Sequence, residues 1–190
     1  MEQAAVRFHW GLLRREGKSV FPVAALMLPL GRFMGLSIGE SAVAVLFTAG
    51  IWLVGIMDCR YGLIFDRFLL VMGMTGLGMD AMGWLVPLGD GAEGALLGGI
   101  LLFIVREASR GGMGGGDVKY AFVLGLWMGG ERLLLALFLA FLSGSVAAIF
   151  LKLRRSGRTC IPFGPFLSLG GAIAYLYGSR ILQWYGETFL

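Results

Sequence analysis

Apolar runs at residues 20–37, 41–57, 68–88, 92–105, 118–130, 132–151 and 161–184 leave almost no room in the chain for anything else. A run of about 20 mainly apolar residues is what a helix needs to cross a bilayer, and within hydrocarbon the helix satisfies its own backbone polar groups. With 57% of 190 residues hydrophobic and only 15% charged, the fold class is all-α: a polytopic membrane helix bundle with about six or seven transmembrane helices. A single integral membrane domain over 1–190 is expected, with an N-terminal basic segment and extra apolar helix at 1–39 and a six-helix core at 40–190. The first run carries Arg32 and two prolines, so it reads as a full span, a bent span or an interfacial segment.

The charges narrow the function classes. A formal net charge of +4 is compatible with a nucleic-acid partner, but the basic residues sit at the ends of apolar runs and form no stripe with interleaved aromatics. The bilayer, not nucleic acid, is the partner they fit. Cys59 and Cys160 belong to no CxxC pattern, so neither a metal site nor a disulfide framework is indicated, and no cofactor is called for. His9 lies outside every apolar run, which argues against a serine–histidine intramembrane protease, and Ser143 and Ser145 read as helix-packing residues. The opening residues show no signal-peptide cleavage pattern. Nothing in the sequence sets an oligomeric state.

Alternate connections differ in charge. Arg7, Arg14, Arg15 and Lys18 precede the first run, and Arg60 and Arg67 follow the second. Arg106, Arg110 and Lys119 flank the glycine stretch, and Lys152, Arg154, Arg155 and Arg158 follow the sixth. The intervening connections at 37–40, 87–93 and 129–132 hold Glu40, Asp90, Glu93 and Glu131 with a single basic residue, Arg132. The positive-inside rule then puts the N-terminus in the cytoplasm and the C-terminus outside, in the plasma (inner) membrane. Asp58, ending the second run, and Asp117, opening the fifth, fall at the same cytoplasmic face.

Two carboxylates at the edge of the hydrocarbon face the bundle interior or a wet cavity. Where they converge they can share one proton, giving an acid and a base that together activate water against a peptide carbonyl. The dipole of each residue's own helix casts Asp117, near an N-terminus, as the base and Asp58, near a C-terminus, as the acid, although titration belongs to the pair. Gly114, Gly115 and Gly116 offer a backbone able to take positive φ and to approach another chain closely; as a glycine run they also read as a simple turn between spans. Asp58 also reads as an interfacial residue paired with Arg60. Asp66 beside Arg67 reads as a solvated loop pair, and Asp80 as a structural hydrogen-bonding residue.

At these positions the chain resembles the type IV prepilin peptidases, membrane aspartyl proteases with a GxGD motif. Gly114-Gly115-Gly116-Asp117-Val118-Lys119 matches the family's GxGDxK, and a Gly-Leu-Trp-Met-Gly segment follows at 125–129. Asp58 and Arg60 match its first aspartate and the arginine two residues on. Ile64-Phe65-Asp66 stands where the family has Ile-Pro-Asn or Ile-Pro-Asp, so Phe65 replaces a proline. Ile161-Pro162-Phe163-Gly164-Pro165-Phe166 resembles the Pro-Phe-Gly-Pro entry to the last span, where early prolines suit a helix start. The resemblance covers roughly residues 40–184.

It implies an intramembrane aspartyl endopeptidase with Asp58 and Asp117 catalytic, and with Gly114, Gly115, Gly116, Lys119 and Arg60 binding substrate or shaping the loops. The implied substrate is a prepilin or pilin-like protein whose short basic leader is cut off just before an apolar helix. Lipid headgroups, or acidic Glu107 and Asp66, would place that leader. Many relatives carry a cytoplasmic domain with two CxxC pairs and methylate the new N-terminus; no cysteine occurs between residues 1 and 57, so peptidase activity without N-methyltransferase activity is expected. The alternative is a small proton-coupled transporter or channel subunit using the same carboxylates, which should show an internal repeat and a midplane site.

Overall fold

A computed structural model describes residues 16–23, 25, 35, 37–110, 112–154 and 161–189. Most of the first apolar run, with Arg32, lies outside the described residues, as do His9, Arg155, Arg158 and Cys160. After a short helical turn at Gly17–Ser19, the chain forms α1 (Ile38–Tyr61), α2 (Asp66–Ala81), α3 (Leu88–Ala108), α4 (Gly115–Leu153) and α5 (Gly164–Phe189). No strand occurs among the described residues. The protein is an all-α membrane bundle: α1, α3 and α4 are long and apolar enough to cross a bilayer. Its outer surface carries exposed Leu70, Met74, Ile100, Phe138, Leu142 and Ile149, as a lipid-facing surface does.

The boundaries follow from local chemistry. The Ser37–Glu40 stretch, which the hydropathy placed between runs, is the start of α1. Ser37 Oγ accepts from the Glu40 N–H and Glu40 Oε2 accepts from the Ser37 N–H, at 3.2 and 2.7 Å, the reciprocal cap that satisfies two orphan donors. The other end of α1 closes on Gly62 at φ 62°, whose N–H donates to the Asp58 carbonyl at 2.8 Å. The run at 68–88 divides: α2 stops at Ala81, and residues 82–87 lead into α3.

The longest helix is two. Gly129 takes φ 76° and ψ 176° inside α4, a backbone that L side chains rarely adopt, and the chain doubles back there. Leu124 lies against Gly171 and the Ala136 carbonyl against Gly170, so residues on either side of Gly129 meet the same turn of α5. The arms, 115–128 and 130–153, correspond to the separate runs read from hydropathy.

The first arm is the hub. The backbones of Gly94 on α3 and Gly125 on α4 touch directly, Gly98 lies against the Ala121 carbonyl, and Gly91 against that of Leu126. On the opposite side Trp127 is fully buried, its indole N–H donating to the Met72 carbonyl of α2 at 2.9 Å. A side chain on Gly76 would sit 2.7 Å from that nitrogen. Phe47 of α1 bridges Trp127 and Tyr175 of α5, at ring separations of 5.2 and 4.4 Å. Small residues thus bring α3 to one side of the arm, and aromatic rings fill the other.

Gly125→Ala should therefore lower the thermal unfolding temperature of the detergent-solubilised protein, at a cost of about 1–3 kcal/mol for forced overpacking. Gly89→Ala, whose added methyl meets nothing within 4 Å, should leave it unchanged.

Candidate active site

Asp58 occupies the last turn of α1, and its side chain turns inward rather than toward the exposed Arg60. Its Oδ2 accepts a hydrogen bond from the Gly164 N–H at 2.8 Å, one of the donors that every helix N-terminus leaves unpaired. Gly164 opens α5, and a Cβ there would lie 2.6 Å from the same oxygen. Only glycine lets the helix end approach the carboxylate this closely. The glycine of the Pro-Phe-Gly-Pro segment thus acquires a site-building position that the sequence did not single out.

Asp117 lies in the first turn of α4. The two aspartates are 8% and 7% exposed, so both carboxylates are drawn into the bundle, and they are near enough for their charges to act on one another. Asp117 Oδ2 lies beside Gly114. Its Oδ1 is buried and accepts no hydrogen bond among the described residues, which makes it the one conspicuously available acceptor of the pair. Asp58 ends its own helix but also faces the start of α5, so helix dipoles do not divide acid from base.

Of the two uses open to the glycines, the backbone takes one. None of Gly114, Gly115 and Gly116 is among the residues with positive φ; Gly114 is extended, at φ −68°, and Gly115 and Gly116 are already helical. Their role is close approach. A Cβ on Gly116 would lie 2.9 Å from Ile64 Cβ, one on Gly115 would lie 3.3 Å from the Arg106 guanidinium, and one on Gly114 would lie 3.1 Å from Asp117 Oδ2. The segment after α1 therefore presses onto the start of α4, bringing the two aspartate-bearing ends together.

The basic site candidates have partners of their own. Lys119 Nζ pairs with Asp66 Oδ2 at 2.6 Å, both exposed, so Asp66 is tied to the start of α4 rather than forming the loop pair expected with Arg67. Arg60 pairs with Glu16, not Asp58: its Nη1 reaches both Glu16 oxygens at 2.8 Å, and the Tyr61 hydroxyl joins at 3.2 Å. Glu16 is 3% exposed, and Ser19 nearby accepts from the Trp52 indole N–H at 3.2 Å. Phe65 is buried against Met57; its φ of −81° is within the range a proline would hold.

Two further polar residues stand beside the pair. The hydroxyls of Tyr120 and Ser168 are 2.8 Å apart in a buried hydrogen bond. Helical spacing was the available signal, since Tyr120 follows Asp117 by three positions and Ser168 follows Gly164 by four.

The family model for the type IV leader peptidase family matches residues 44–149, and the chain belongs to that family. The prepilin leader peptidase/N-methyltransferase of Aeromonas salmonicida (strain A449) is 37% identical over 141 residues, 70% of this chain and 48% of the relative. That of Pseudomonas aeruginosa PAO1 is 33% identical over 153 residues, 77% of this chain and 53% of the relative. That of Bacillus subtilis (strain 168) is 32% identical over 168 residues, 85% and 66% respectively. The chain thus spans about half the length of the first two. No solved structure matches it. The matched residues hold both aspartates, while Gly164 and Ser168 lie beyond them.

The two ion pairs should differ in consequence. Arg60→Ala leaves the buried Glu16 carboxylate without its cation, with only the Tyr61 hydroxyl bond, and should cost about 1–3 kcal/mol, whereas Lys119→Ala breaks an exposed pair and should stay within about 1 kcal/mol. Thermal unfolding of the two variants in the same detergent measures the contrast.

Proposed function

We propose that the protein is an intramembrane aspartyl endopeptidase that removes the short basic leader of a prepilin or pilin-like protein, with Asp58 and Asp117 as its catalytic pair. The observation that carries the reading is the convergence of two buried carboxylates at one end of the bundle, one held by the Gly164 N–H and the other presenting an unpaired Oδ1. Family membership supports the substrate class: relatives of this chain are prepilin leader peptidase/N-methyltransferases by name.

The chemistry needs only these two groups and water. One carboxylate takes a proton from water as the oxygen adds to the scissile carbonyl carbon. The protonated partner then gives its proton to the departing nitrogen as the C–N bond breaks. One water is consumed, and a free carboxyl and a free amine result. Gly114, Gly115 and Gly116 act as loop-shaping residues: they let Arg106, Ile64 and the Asp117 carboxylate close in on the start of α4. Lys119 and Arg60 act as loop-shaping residues, through Asp66 and Glu16.

Orientation follows the charges. Arg60, Arg67, Arg106, Arg110, Lys119, Lys152 and Arg154 occur at the helix ends on the dyad side, and Glu40, Asp90, Glu93 and Glu131, with Arg132 beside them, at the opposite helix ends. The positive-inside rule makes the dyad side cytoplasmic, where a basic leader would remain. A pair at one end rather than at the midplane favours peptidase chemistry over proton transport. For residues 1–190 we propose peptidase activity without N-methyltransferase activity, because residues 1–57 hold no cysteine and the resemblance ties methylation to paired cysteines.

Co-expression with a prepilin of the same organism, read by intact mass, tests this. The wild type should trim the leader and add no methyl group, while Asp58→Ala and Asp117→Ala should each abolish trimming and still insert in the membrane. Trimming that survives both substitutions would refute the aspartyl mechanism.

A further inference from the structure

The peptidase reading uses the two aspartates and leaves unexplained the hydroxyl pair packed one helical turn deeper. We infer that the hydrogen bond between Tyr120 and Ser168 fixes the separation of Asp58 and Asp117, making both hydroxyl residues positioning residues for the reaction. This rests on the proposed peptidase function.

The geometry is a ladder between two helices. Asp117 and Tyr120 stand one turn apart on the first arm of α4, and Gly164 and Ser168 one turn apart on α5. Asp58 arrives from α1 but is bound to α5 through the Gly164 N–H at 2.8 Å. Asp117 rides on α4, with its Oδ1 free of protein partners among the described residues. The distance between the carboxylates is therefore the spacing of α4 and α5 at this level. Directly below, the Tyr120 hydroxyl and Ser168 Oγ join the same two helices at 2.8 Å.

The third wall is also closed. A Cβ on Gly55 of α1 would lie 2.9 Å from Ser168 Oγ, so the hydroxyl is pressed from the α1 side as well. Tyr120 is fully buried in the same core cluster as equally buried Leu124 and Leu167, and its hydroxyl lies within electrostatic range of both carboxylates. An apolar pair of the same shape could fill this volume at little cost in stability. What the hydroxyls add is direction and a fixed length, which van der Waals packing does not supply. Rate is far more sensitive to such placement than stability is, since a misplacement of about 1 Å can cost about 100-fold.

Tyr120→Phe and Ser168→Ala delete the bond with little change of shape. Steady-state cleavage of a purified prepilin in detergent, normalised to folded enzyme, should show kcat reduced about tenfold or more in each, with KM within about twofold of wild type. The double variant should be no slower than the slower single one, because both deletions remove the same bond. A purely structural role would lower the unfolding temperature and the folded fraction without this split between kcat and KM. Wild-type kcat in Tyr120→Phe, or losses that multiply in the double variant, would overturn the inference while the dyad stands. Cleavage persisting in Asp58→Ala and Asp117→Ala would instead remove the peptidase reading, and this inference with it.

Discussion

The hydrogen bond from the Gly164 N–H to Asp58 Oδ2 is the contact on which the site depends. It joins residues 106 positions apart and solves two problems at once. A carboxylate buried in a helical bundle needs a donor, and a helix that begins inside the bundle needs an acceptor for its first N–H groups. Each supplies what the other lacks. Because the donor belongs to the backbone, no side-chain rotamer needs to be frozen to make the bond, and α1 and α5 are locked together at the level where α4 begins.

Around that contact, glycine serves as spacing rather than as flexibility. The pairing of Gly94 with Gly125 lets α3 and α4 touch backbone to backbone, Gly76 admits the Trp127 indole, and Gly116 admits Ile64. In hydrocarbon there is little hydrophobic gain from burying one apolar helix against another, so close packing and interhelical hydrogen bonds carry the association. Gly129 is the exception, where the conformation itself is the point: its positive φ turns one apolar stretch into two arms.

Much of this was legible in the sequence. Hydropathy separated the two arms of α4 although a continuous helix could have been drawn through them, and alternating charge placed Asp58 and Asp117 at one end. Partnerships were not legible. Asp66 looked like a neighbour of Arg67 and Arg60 like a neighbour of Asp58, because sequence adjacency was the only distance available; the fold gave them Lys119 and Glu16. Of the two uses open to Gly114–Gly116, positive φ or close approach, the segment alone could not choose, since a glycine demanded by a neighbour on another helix leaves no trace in its own segment. Gly164 lay within a quoted motif, yet its link to Asp58 required knowing how α1 and α5 pack.

The first arm of α4 also sets the depth of the pair. Residues 115–128 span about 21 Å at 1.5 Å per residue, against about 30 Å of hydrocarbon. The arm's far end is fixed, because Gly129 packs beside Asp90 and Val86 at the start of α3. The contacts of Gly94 with Gly125 and of Gly98 with the Ala121 carbonyl set a register in which Asp117 stands short of the last turn of α3, with residues 112–114 leading into α4. In that segment Gly112 lies against Ser109 and Gly114 against Asp117. A shortened helix thus accounts for both the burial of the aspartates and the need for glycine beside them. A side chain on Gly114 would crowd Asp117 Oδ2, and one on Gly116 would push Ile64 off the start of α4.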